Sequence, residues 1–96
     1  MIKHIVSFKL KEEHKDKTQI IKKALEALPS KINQIIGFEV GINISDSVAA
    51  YDIVLVSEFI SLKELNEYRI HPEHIKVTEI IALYKSESMV VDYQIN

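Results

Sequence analysis

From Ile2 to Leu10 the chain alternates, with Ile2, His4, Val6, Phe8 and Leu10 on one face and Lys3, Ile5, Ser7 and Lys9 on the other, which is the period of a β-strand. From about Glu12 to Leu28 the spacing becomes helical. Ile20, Ile21, Ala24, Leu25 and Leu28 share a stripe there, between lysines and glutamates, until Pro29 disrupts the pattern. A second alternation opens at Gly37 and runs through Phe38, Val40, Ile42 and Ile44 to the polar turn NISDS. The segment YDIVLVSEF, Tyr51 to Phe59, predicts a third strand whose IVLV run is apolar on both faces, as a strand covered on both sides requires. Ser61-Leu62-Lys63-Glu64 has the spacing of a capping box and predicts a short helix. Pro72 suits the first position of another helix, with Val77, Ile80, Ile81 and Tyr84 as its apolar stripe. Ser88 to Ile95 closes the chain as a strand in which Met89, Val91, Tyr93 and Ile95 alternate against Val90, Asp92 and Gln94.

The order β-α-β-β-α-β predicts an α+β, ferredoxin-like domain over residues 1–96, a four-stranded antiparallel sheet with its helices on one face. On this reading Ile2, Val6, Phe8, Phe38, Val40, Met89 and Val91 meet the helices. The opposite face still carries Ile5, two alternate members of the IVLV run and Val90, ringed by Lys3, Lys9, Glu39, Asp52, Glu58 and Asp92. An apolar centre with a polar rim is the anatomy of an interface, so a twofold homodimer with sheets face to face is expected. The plainer alternative is that scattered apolar residues on a solvated sheet are ordinary.

Twelve basic residues against fourteen acidic ones, with Arg69 the one arginine, argue against a nucleic-acid partner. No stretch is long and apolar enough to predict a membrane span or a signal peptide. Cysteine is absent, so disulfides and thiolate metal sites are excluded and a reducing, cytoplasmic setting is expected.

The chemistry-bearing stretch is YRIHPEHIKV, Tyr68 to Val77. If Pro72 is the first helical residue, His74 lies in the first turn. The positive end of the helix dipole there disfavours imidazolium, while Glu73 opposes that effect. His4 points under the helices with Val6 and Phe8, and Tyr68, His71 or His74 could supply its hydrogen-bond partner. His71 and His74 do not make a convincing zinc pair, because Pro72 fixes the turn between them and Glu73 points away, so no metal is expected. His14, among lysines and glutamates, reads as a solvated surface residue.

MIKHIVSFKLKEE, GFEVGINIS, YDIVLVSEFIS, YRIHPEHIKV and VVDYQIN, in this order, together resemble the stress-responsive dimeric α/β-barrel (A/B barrel) domain family. The resemblance spans essentially the whole chain. It implies a ferredoxin-like monomer that pairs through its sheet into a dimeric barrel, and it does not imply one function. Members include plant stress-associated proteins, uncharacterised bacterial proteins and olivetolic acid cyclase, which cyclises a polyketide acid without metal or organic cofactor. Carried over residue by residue, the cyclase's proton-transfer pair falls on Tyr68 and His74, and its strand-one histidine on His4. The tyrosine that lines the cyclase pocket from the first helix has no counterpart in TQIIKKALEAL.

Two readings follow from these residues. In one, the protein is an enzyme or small-ligand protein with no cofactor, using His74, Tyr68 and His4 for proton transfer, with His71, Phe8 and Val40 contacting the substrate. In the other it is a non-catalytic assembly or stress-protection domain, in which His71 caps a helix, His74 packs on Tyr68 and His4 is a satisfied core residue.

Overall fold

The computed structural model describes residues 1–95. Strand β1 (Ile2–Leu10) leads through a short 3-10 helix (Glu12–Lys17) into α1 (Thr18–Glu26). Strands β2 (Gly37–Ile42) and β3 (Ile53–Phe59) follow, then α2 (Leu62–Arg69), α3 (Pro72–Tyr84) and β4 (Lys85–Gln94). The four strands form one antiparallel sheet in the order β2-β3-β1-β4, with the helices on one face. This is the ferredoxin-like α+β architecture that the element order predicts.

Alternation decides what that face buries. Phe8 and Leu10 of β1, Val40 of β2 and Ile53, Leu55 and Phe59 of β3 point inward. They meet Ile21 and Leu25 of α1, Leu65 and Tyr68 of α2, and Val77 and Ile81 of α3 in one continuous core. Leu28 and Ile32, beyond the end of α1, extend it, because Leu28 N–H donates to the Leu25 carbonyl and Ile32 N–H to that of Leu28. His4 and Ser57 are the buried polar residues among those described.

The expected first helix over Glu12 to Leu28 is corrected to two pieces. His14 takes a non-helical conformation at φ −120°, ψ 16°, and the 3-10 helix buries no residue. EEHKDK carries no apolar side chain to hold a helix against the sheet, so local contacts decide its path. Lys15 Nζ reaches Asp52 at 2.9 Å, and the His14 ring stands edge-on to Tyr84 with centroids 5.1 Å apart. His14 is therefore half-buried against α3, and the expectation of a solvated residue is corrected. Strand β2 stops at Ile42 instead of Ile44, and β3 starts at Ile53 instead of Tyr51. The loop between them ties its own amides to Asn43, Ser45 and Ser47 side chains. At Ser61 the hydroxyl donates to the Glu64 carboxylate and accepts no bond from the amides of the helix start, so half of the expected capping box is spent between side chains.

The largest correction concerns β4. Its register with β1 sets Ile5 opposite Val91, Ser7 opposite Met89, His4 opposite Asp92 and Val6 opposite Val90. Cross-strand partners share a face, so Asp92 and Val90 lie on the helix side and Met89, Val91 and Tyr93 on the open side, the reverse of the sequence expectation. The open face is thus more apolar than expected, with Ile5, Val54, Val56, Met89, Val91 and Tyr93 together. Asp52 likewise leaves the open-face rim: its carboxylate accepts from the Leu10 amide at 2.7 Å as well as from Lys15.

Asp52 fastens the loop before β3 to the end of β1 through an otherwise buried backbone donor. Asp52→Ala should lower stability by about 1–3 kcal/mol, because the Leu10 N–H loses its acceptor. A urea titration checks this, and an unchanged midpoint would show the amide finding another partner.

Candidate functional site

The helices stop and start where the candidate side chains are needed. Tyr68 is in the last turn of α2 and His74 in the first turn of α3, joined by a corner of two residues, Ile70 and His71. His71 N–H donates to the Tyr68 carbonyl at 3.1 Å, and the His71 ring Nδ1 accepts from the Glu73 amide at 3.1 Å, capping α3 ahead of Pro72. The tight corner stacks the Tyr68 and His74 rings with centroids 4.3 Å apart at a tilt of 44°. His4, from the middle of the sheet, stands edge-on to Tyr68 at 6.1 Å.

These rings line a pocket of about 310 Å³ between the sheet and the helices. Val6, Phe8, Leu25, Leu55, Val77 and Ile81 form its apolar walls, and His4, Tyr68, Arg69, His74, Lys85 and Ser88 are among its polar lining groups. It is at the small end of ligand cavities. A shallower depression of about 390 Å³ beside the β2–β3 loop is lined by serines, small residues and Tyr51, with no histidine or carboxylate.

The structure brings His4, Phe8, Tyr68 and His74 to the pocket. His71 and Val40 are elsewhere, and both placements are corrections. His71 is used up in the cap, and Val40 is packed in the core under α1, where its carbonyl accepts from Lys22 Nζ at 2.9 Å. Alternation put Val40 on the correct face, but β2 is the strand farthest from β4, away from the cavity.

The protonation pattern follows from the hydrogen bonds. His74 Nδ1 lies 3.0 Å from the Arg69 carbonyl, one of the acceptors left free where α2 ends. A carbonyl only accepts, so Nδ1 carries the hydrogen and Nε2 of the neutral ring keeps its lone pair. Burial pushes the His74 pKa below its ordinary value, the bond to Arg69 works against this, and the nearby His4, Arg69 and His71 add to the lowering. Glu73 does not oppose the effect, because it turns away to Lys76 at 2.9 Å and Lys31 at 3.4 Å. Tyr68 is fully buried, and its hydroxyl has no hydrogen-bond partner among the described residues. Burial pushes its pKa far up, so it keeps its proton.

Asp92 is the residue that the sequence reading misplaced. One carboxylate oxygen accepts from His4 Nδ1 and the other from the Arg69 guanidinium at 2.5 Å, while Arg69 also donates to Asn66 at 2.9 Å. The carboxylate thereby fixes the orientation of the His4 ring. The available signal was the polar parity of β4, where Ser88, Asp92 and Gln94 share the face that His4 uses. Among the described residues no group of three or more His, Cys, Asp or Glu could hold a metal ion.

With the geometry described, comparison with known proteins assigns the family. The stress responsive A/B barrel domain model matches residues 2–95. The chain belongs to that family. A stress-response A/B barrel domain-containing protein of Arabidopsis thaliana, DABB1, is 24% identical over 102 residues; the match covers 97% of this chain and 46% of the relative, so the chain spans about half that protein's length. A dimeric protein of unknown function and ferredoxin-like fold from Bacteroides fragilis is 39% identical, covering 98% of this chain and 95% of that one, with a TM-score of 0.89. A hydroxynitrile lyase from Passiflora edulis shares the fold at 17% identity and a TM-score of 0.86, over 99% of this chain and 93% of that one. The structural neighbours thus include a dimeric protein and one named as an enzyme. No helix among the described residues is long and apolar enough to cross a membrane.

The Tyr68 hydroxyl gives a direct test of whether this site is kept at the expense of stability. Tyr68→Phe should leave the fold as stable or raise its stability by on the order of 1 kcal/mol, because it removes a buried polar atom that has no partner. Thermal melts of the two proteins decide it, and a clear loss of stability would mean that the hydroxyl has a partner in solution.

Proposed function

We propose that the protein works as a homodimer paired through the open sheet face, each protomer carrying a small-molecule pocket between sheet and helices. The pocket performs cofactor-independent proton transfer, of cyclase or isomerase type, on a small carbonyl-bearing or aromatic compound. One observation carries the chemical part: a neutral histidine whose Nε2 keeps its lone pair and a protonated tyrosine hydroxyl with no partner among the described residues share one largely apolar cavity. In this reading His74 Nε2 takes a proton from a carbon next to a carbonyl, and the Tyr68 hydroxyl donates to the oxygen as negative charge develops there. His4, held by Asp92, is the third polar group facing the substrate, and Phe8 supplies apolar contact. The fold neighbour named as a hydroxynitrile lyase supports the idea that this architecture can house catalysis without fixing the reaction. A cytoplasmic setting, expected from the cysteine-free sequence, belongs to the same proposal.

A screen of small aromatic and β-keto acids by melting shift and turnover tests this reading. His74→Ala should abolish turnover while leaving the fold nearly intact. Catalysis by the wild type should rise with pH through a single limb below the usual histidine value of 6.5 and stay level across neutrality, because a depressed pKa leaves the base form present at lower pH. Ligands that stabilise the wild type and His74→Ala equally would remove His74 from the site.

A non-catalytic assembly or stress-protection role is the second reading, and the open sheet face favours it. Met89 and Val91 there are each about half exposed and stand beside Ile5, Val54 and Val56 on the same face, which makes a contiguous apolar patch. Both readings need the same dimer. Light scattering at micromolar concentration should give about twice the chain mass, and Ile5→Asp, at the centre of that face, should split or unfold the pair. A wild-type monomer would end the sheet-to-sheet model.

A further inference from the structure

The end of the pocket away from His74 carries chemistry that proton transfer does not use. In the β1–β4 ladder the register shifts between Lys9 and Leu10, so that Lys9 faces Glu87 while Leu10 faces Lys85, leaving Ser86 as an extra residue. Residues three apart in a regular strand point to opposite faces. The bulge removes that opposition, and Lys85 and Ser88 both turn to the helix side, where they line the cavity.

Lys85 Nζ sits 3.3 Å from Ser88 Oγ, and no carboxylate among the described residues lies within salt-bridge reach of it. The other permanent cation of the lining, Arg69, is already offset by Asp92. Among the permanent cations of the lining, Lys85 is therefore the one with no carboxylate partner among the described residues, and it stands beside the apolar side chains of Phe8 and Ile81. Ser88 pairs with Phe8, four residues along β1 from His4, so the cation and the proton-transfer groups are separated by about 13 Å of strand, less the reach of the side chains.

We propose that the pocket's substrate is a small organic monocarboxylate, its carboxylate held by Lys85 and Ser88, its apolar middle between Phe8 and Ile81, and its reactive carbonyl end at Tyr68 and His74. The assignment rests on the proton-transfer reading of the same pocket and adds the charge, the polarity and the direction in which the substrate lies. Lys85 is a specificity residue here, since it touches the substrate away from the reacting atoms.

Isothermal titration calorimetry with matched acids and neutral amides tests it: para-acetylbenzoate, phenylpropionate and benzoylacetate, each beside its amide. Wild type should bind an acid about tenfold more tightly than the amide of the same shape. Lys85→Gln should erase that preference. Lys85→Arg should retain it, and so should Lys63→Gln, which makes the same charge change on α2 outside the pocket. Melts of each variant establish that it is folded. Equal binding of acid and amide to wild type, or a preference that survives in Lys85→Gln, overturns the carboxylate assignment while amide binding leaves the pocket reading standing. Failure of every acid and every amide to bind wild type overturns both.

Discussion

The pairing of β1 with β4 is the constraint on which both surfaces of the sheet depend. One register places His4 beside Asp92 under the helices and Ile5 beside Val91 on the open side. A slip of one residue would exchange the faces, taking the carboxylate from His4 and putting apolar side chains into the pocket. The pairing is anchored at both ends. Ile95 N–H donates to the Met1 carbonyl beyond one end, and Lys11 N–H donates to the Tyr84 carbonyl at the other, where α3 passes directly into β4. The chain therefore has little freedom to shift the strand that completes both the site and the exposed apolar face.

The corner between α2 and α3 is the second device, and its energetics differ from those of the sheet. Helix ends leave backbone groups unpaired, and here each is met by a nearby ring: the Glu73 amide by His71, and the Arg69 carbonyl by His74. The adjoining Tyr68 ring is packed against Phe59 at 5.0 Å, yet its hydroxyl finds no partner among the described residues. A core optimised for stability alone would place phenylalanine at that position. A polar atom retained in such a place, beside a histidine that burial keeps neutral, is the kind of local conflict that binding sites carry.

Much of the fold was legible in the sequence because its periods are clean. Alternation from Ile2 to Leu10, the helical stripe through Ile21 and Leu25, and Pro72 ahead of α3 each admit one reading. The placement of Tyr68, His74 and His4 in one cavity followed from those elements together with the family resemblance. Asp92 was lost for a physical reason: in β4 the more apolar parity, Met89, Val91 and Tyr93, faces away from the helices. The usual equation of apolar with inward then fails, because the open face is itself suited to burial. His71 and Val40 were misassigned because sequence gives a face but not a neighbour. A ring two residues before Glu73 can cap as readily as it can bind, and an inward valine on β2 meets α1 instead of the cavity. The bulge at Lys85 has no sequence signature, since glycine does not mark it and Ser86 fits either parity.

The edge position of β4 links the two surfaces. Its residues from Ser86 to Gln94 are exposed, including Val90 on the helix side and Met89 and Val91 on the open side. An apolar, unpaired edge is a template for unwanted pairing unless something covers it. In the proposed dimer the sheet partner would shelter Met89, Val91 and Tyr93 and hold the strand that carries Asp92, Ser88 and Lys85. Three polar groups of the pocket then depend on a strand stabilised chiefly by β1 on one edge and by the partner on one face. Assembly and binding are in that case coupled through β4: whatever orders the strand sets the His4–Asp92 contact and the aim of Lys85 together, and loosening the dimer would blunt the site before the core unfolds.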